Sequence, residues 1–179
     1  MKKITVGLLI ACMVSACGWQ LRGAVATHEN LQSIYLSSED THGALEVEIK
    51  QLMAANKIAV AETAGDASLS LFIESEDYDR RTAAVGADAL TSAYELIYTV
   101  HYEVRSATGA PLTSLGSAMV TRTFDYSAAG ASSGAREEAL LTREMQREMA
   151  QLLIRRMNAL GENLTNAPAE TNANGQASP

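Results

Sequence analysis

Positive charge, cysteine and long apolar runs are all scarce in this chain. Lysine and arginine number 14 against 21 aspartates and glutamates, for a formal net charge of −7. That balance argues against a nucleic-acid partner, which needs a basic stripe, but leaves room for a local basic patch. Beyond the N-terminus no stretch approaches the ~20 consecutive apolar residues that cross a bilayer as a helix. The three histidines, His28, His42 and His101, stand at no metal-ligand spacing. No glycine-rich phosphate loop follows a strand, and there is no GxSxG elbow. His101 shares a strand face with Glu95 and Glu103, a grouping that suits general acid–base work only in a cleft. A solvated strand face accounts for it without chemistry. The sequence therefore points to no catalysis, no metal and no cofactor.

Cysteine is limited to Cys12 and Cys17. Lys2 and Lys3 form a short positive region, and Ile4 to Val14 is an apolar run too short to span a bilayer. Ser15 and Ala16 supply the small residues that a signal peptidase requires. Residues 1–16 are thus expected to be a removable signal peptide. Removal takes Cys12 with it and leaves Cys17 with no disulfide partner. Val14-Ser15-Ala16-Cys17 resembles the lipobox of bacterial lipoproteins, in which the cysteine sulfur carries diacylglycerol and the new amine is acylated. Each buried CH₂ contributes ~0.8 kcal/mol, and two or more chains hold a domain on a membrane durably. Gly18 follows the cysteine where an aspartate would resemble an inner-membrane retention signal. The expected address is the outer membrane, on its periplasmic side.

The rest divides into one domain, residues 17–160, and a disordered tail, 161–179, rich in Asn, Ala, Thr and Pro. Ser33 to Ser37 alternates as a short strand. Leu45, Ile49, Leu52 and Met53 recur at helical spacing, with Asp40 or Thr41 as cap and Asn56 as a left-handed end. Lys57 to Ala61 is a candidate short edge strand. Leu69, Leu71 and Ile73 begin a second main strand that continues through Arg81. Tyr94, Leu96, Tyr98, Val100, Tyr102 and Val104 mark one face of a third, and a fourth runs from about Ser114 to Tyr126. Ser127 to Gly134 reads as a loop. A last helix from about Ala135 to Leu160 carries Leu141, Met145, Met149, Leu152, Leu153, Met157 and Leu160 on one stripe, with Gly161 as C-cap. The order β-α-β-β-β-α predicts an α+β two-layer sandwich. Two helices would pack on one face of a four-stranded, mostly antiparallel sheet.

Four stretches in order carry a family resemblance: CGWQLRG at Cys17, AYELIYTVHYEV in the third strand, RTFDY ending the fourth, and AREEALLTREMQREMAQLLIRRM in the last helix. Together, behind a lipobox, they resemble the LptE (RlpB) family of LPS-assembly lipoproteins, from Cys17 to about Leu160. The resemblance implies a non-enzymatic outer-membrane lipoprotein that plugs the wide β-barrel of LptD and helps it assemble. The pair would deliver lipopolysaccharide to the outer leaflet, and the lipoprotein would bind lipopolysaccharide itself. The family pattern would put a basic residue in the hairpin between strands two and three. That loop reads Val85-Gly86-Ala87-Asp88 here and holds none. The nearest cations, Arg80 and Arg81 on the preceding strand and Arg136 on the last helix, become the candidates for glycolipid contact, with an ordinary solvated surface as the reading to beat. Val85, Gly86, Ala87 and Asp88 are the candidate barrel contact, with a plain surface turn as the alternative. An accessory lipoprotein of another outer-membrane lipid-transport system is the rival reading, since it would share the anchor and the sandwich.

Overall fold

The computed structural model describes residues 31–127 and 130–166. The expected signal peptide and Cys17 lie outside the described residues, as do residues 167–179 of the expected tail. The elements are β1 (Ser33–Ser38), α1 (Ala44–Ala55), β2 (Ala59–Val60), a 3₁₀ turn (Ala64–Asp66), β3 (Leu69–Val85), β4 (Thr91–Ser106), β5 (Gly116–Asp125) and α2 (Ala131–Asn166).

The layers are as expected, but the sheet is not the four-stranded, mostly antiparallel one. It has five strands in the order β2-β1-β3-β4-β5. β1 pairs in parallel with both β2 and β3, while β3–β4 and β4–β5 are antiparallel, so the sheet is mixed. Two residues suffice for the fifth strand, because Ile58 anchors it in the core at 3% exposure and places Ala59 against Ser33.

Both helices end differently from the sequence expectation. The N-cap of α1 is Gly43, with no side-chain cap. The capping role falls to Glu46 instead, whose carboxylate reaches back one turn to accept the His42 N–H at 2.5 Å. Lys50 also donates to Glu46, at 2.5 Å, and this hydrogen bond holds the Glu46 carboxyl below the usual glutamate range despite burial. Lys57, not Asn56, takes the left-handed conformation after α1, at φ 59°. α2 starts at Ala131, inside the expected loop, and runs through Gly161 to Asn166. The first residues of the expected tail, 161–166, are therefore helical. A C-terminal glycine is only a permissive stop, costing about 1 kcal/mol within a helix.

The core lies between the helices and one sheet face. Leu45, Ile49 and Met53 of α1 and Met145, Met149, Leu153, Ile154 and Met157 of α2 are at most 1% exposed. They meet Ile34, Leu71, Leu96, Val100 and Val104 of the sheet. Each such side chain contributes roughly 1.5–3 kcal/mol on burial, so α2 holds the sandwich closed.

β3 contains a bulge that the alternation did not reveal. Register moves from Ile73↔Tyr102 to Ser75↔His101, leaving Glu74 as the extra residue. Before it, odd-numbered residues of β3 face the helices. After it, even-numbered residues do. Glu76, Tyr78, Arg80 and Thr82 thereby share the helix-facing side with Val100, Tyr98, Leu96 and Tyr94.

Candidate functional site

The β3–β4 hairpin extends well past the pairing with β1, which ends at Ser38↔Ile73. Every residue of β3 from Asp77 to Val85 is exposed. The connection after Val85 is closed by its own backbone. Gly86 N–H donates to the Leu90 carbonyl at 2.8 Å, and Ala89 N–H to the Gly86 carbonyl at 3.0 Å. The Asp88 carboxylate accepts the Leu90 N–H at 3.2 Å. Ala89 sits at φ 61°. Val85 and Leu90 flank the turn at 60% and 58% exposure. The candidate contact Val85-Gly86-Ala87-Asp88 is thus a self-supported tip with two apolar side chains and one carboxylate.

The bulge decides where the candidate cations go. Arg80 faces the helix layer. Its guanidinium donates to Glu138 of α2 at 2.9 Å and lies 4.8 Å over the Tyr94 ring. The Glu138 carboxylate holds the Arg80 guanidinium more firmly protonated than usual. Arg81, one residue on, points to the opposite sheet face and donates to Asp79 at 2.7 Å. Arg136 is exposed in the early turns of α2. It stands two residues from Glu138, and residues so spaced do not share a helix face. The three arginines therefore form no single cluster.

Several residues missed in the sequence hold this end together. The Tyr78 hydroxyl donates to Glu138 at 3.4 Å, and Thr142 Oγ1 lies 3.2 Å from that hydroxyl. Burial pushes the Tyr78 hydroxyl above its ordinary range. Tyr94 stacks edge-on with Tyr126 at 5.0 Å and packs on Phe124 at 5.8 Å. Deeper in, Tyr98 donates to the Glu76 carboxylate. Burial, then that hydrogen bond, drives its pKa far upward. Arg122 pairs with Glu148, and Arg156 donates to the Tyr102 hydroxyl at 2.5 Å. Parity along β3 after the bulge is the one signal that would have found Tyr78 and Glu76.

The opposite sheet face carries no helix among the described residues. It is polar, with Asp77, Thr99 and Thr121 beside Ile97 and Met119. His101 Nε2 lies 3.9 Å from the Asp77 carboxylate there, with 40% of its side chain exposed. That is a surface contact rather than a cleft. No group of three metal-ligating side chains occurs among the described residues. No described helix is long and apolar enough to cross a membrane.

The mixed sheet with its helix-covered face and long protruding hairpin is a fold shared with two solved structures. An NMR structure of an uncharacterized lipoprotein B from Nitrosomonas europaea superposes with a TM-score of 0.68 at 21% identity, covering 81% of this chain and 93% of that one. The crystal structure of the rare lipoprotein B from Shewanella oneidensis gives 0.68 at 22% identity, covering 74% and 98%. At those identities the likeness concerns the fold. The family model LptE, described as lipopolysaccharide-assembly, matches residues 31–157, and the chain belongs to the LptE family. Among curated relatives, the LPS-assembly lipoprotein LptE of Pectobacterium atrosepticum is 27% identical over 155 residues, 86% of this chain and 83% of that protein. The Yersinia pestis protein of the same name is also 27% identical, over 156 residues, 86% of this chain and 74% of its own.

Proposed function

We propose that this chain is an outer-membrane lipoprotein of lipopolysaccharide assembly, anchored through acyl chains on Cys17 and facing the periplasm. It plugs the LptD β-barrel, helps the barrel assemble, and forms with it the translocon that inserts lipopolysaccharide into the outer leaflet. It catalyses no reaction. The family match over residues 31–157 carries this reading. The surface supports it. Transmembrane barrels keep their apolar band outside and a polar lumen within, so a plug needs polar projections. The distal hairpin, with Asp77, Asp79, Arg80, Arg81 and Thr82 all exposed, is such a projection. Its tip, Val85 to Asp88, is the proposed barrel contact. Lipopolysaccharide contact falls to Arg80, Arg81 and Arg136, all exposed. Arg80 makes it by leaving Glu138 and Arg81 by leaving Asp79.

Affinity purification through a C-terminal tag tests the reading. A large β-barrel should copurify. Components of a different lipid-transport system in its place would favour the accessory-lipoprotein alternative. A photo-crosslinker at Ala87 should trap the barrel in cells, while one at Asn172 should not. Equal trapping at both positions would remove the tip as a specific contact.

A further inference from the structure

β3 is an interior strand only for its first part. Beyond Ile73 the row that β1 occupied is empty among the described residues, and residues 75–85 form an edge. At 3.3 Å per residue this edge runs roughly 35 Å. Its outward N–H and C=O groups are a template for another strand.

The sheet's other long edge is treated differently. On β5, Ser117 and Thr121 each have their carbonyl capped by an arginine, Arg156 and Arg122, both at 2.9 Å. No side chain among the described residues caps the backbone of 75–85.

Where β1 stops, a cavity of about 410 Å³ opens, lined by Ser38, Glu39, Asp40, Ile73, Ser75 and Glu76. Three of its six lining residues are acidic, and none is basic. Two of its oxygens, Ser38 Oγ and Glu76 Oε1, are buried in its wall and have no hydrogen-bond partner among the described residues. The second Glu76 oxygen is already held by Tyr98. A strand laid along 75–85 would continue the line of β1, and its end would lie over this notch. A lysine or arginine there would meet the three carboxylates.

We infer that the β3 edge, residues 75–85, together with the acidic notch at Ser38–Asp40, is a docking site for an extended polypeptide strand bearing a lysine or arginine at its notch end. For the source of that strand the inference rests on the barrel reading above. Strand addition of this kind draws affinity from main-chain hydrogen bonds and selectivity from side-chain pockets.

The test is amide hydrogen exchange on the full chain, alone and in complex with the barrel. Outward amides of 75–85 should exchange freely in the chain alone and slow about 100-fold in the complex, as strand amides do when paired. Outward amides of β5 should change far less. Replacing Glu39→Gln and Glu76→Gln together keeps an acceptor for Tyr98. It should cut the protection at Ser75–Asp77 about 10-fold and leave the Val85 end unchanged.

A complex that forms without slowing 75–85 would overturn the docking site and leave the barrel reading standing. Failure to form a complex would overturn both. Equal slowing on both edges would mean simple enclosure and overturn strand pairing. Protection already present in the free chain would mean that another segment of the chain holds the edge, which also overturns it. Full protection retained in the double variant would overturn the basic anchor.

Discussion

Removing the carboxylate of Glu76 should destabilise the domain through a residue on the next strand. Tyr98 is 4% exposed, and its hydroxyl donates to Glu76. Glu76→Ala leaves that hydroxyl without its acceptor in a largely buried site. A buried donor left unsatisfied costs about 1–3 kcal/mol, and a bond to a charged acceptor lies toward the upper part of that range. We expect a loss of about 2 kcal/mol, or roughly 4–8 °C in Tm for a domain of this size. Tyr98→Phe alone removes the donor and keeps the ring in the core, and should cost about 1 kcal/mol. The double variant is decisive. With both partners gone nothing is orphaned, so its loss should fall short of the summed single losses by about 1–2 kcal/mol. Urea unfolding of a soluble form beginning at Gly18 would measure all four corners of the cycle. Additivity within about 0.3 kcal/mol would refute the coupling and with it the helix-facing placement of Glu76 after the bulge.

Glu46→Gln should cost about 1 kcal/mol at neutral pH through the His42 and Lys50 bonds. The Glu46 pKa is lowered in the fold, so its contribution is complete above the unfolded carboxylate range. It disappears as pH falls through the lowered value, so in acid titrations the gap between the two proteins should begin to narrow near the unfolded glutamate pKa of about 4.3 and close at lower pH. Gly109 sits at φ +82° with open space around a would-be Cβ. Gly109→Ala should therefore lose about 1–2 kcal/mol of backbone origin, and a larger loss in thermal melts would mean a clash that the structure lacks. Cys17→Ser should abolish labelling by a fatty-acid analogue, and unchanged labelling would end the lipobox reading.

Much of the fold was legible because periodicity reports burial. The alternation from Tyr94 to Val104 located β4 and its core face correctly, and the methionine stripe located α2. Ile154 escaped because it stands beside Leu153 at the edge of that stripe. β2 was visible as a candidate but too short to be counted in the sheet. Its role depends on Ile58 finding the core, which is a tertiary fact. The bulge at Glu74 left no mark, since one extra residue in a polar strand has no period of its own. That omission hid most of the candidate site. Arg80 and Arg81 look equivalent in the sequence, yet one is tied to Glu138 and the other to Asp79 on the far face. Gly134 suggested a loop, but in α2 it is buried, and a Cβ there would stand 3.3 Å from the Tyr126 ring.

The position of α2 after every strand of the sheet has a consequence for the order of assembly. Any process that releases the polypeptide N-terminus first presents the whole sheet before residue 145 has appeared. Until Met145, Met149, Leu153 and Met157 arrive, Leu71, Leu96, Val100 and Val104 have only α1 to cover them. The nascent sheet is then an open apolar surface with a long unpaired border, the kind of species that aggregates unless attended. Escort by a holding chaperone would matter most in that interval, and a truncation before Met145 should turn a transient client into a permanent one.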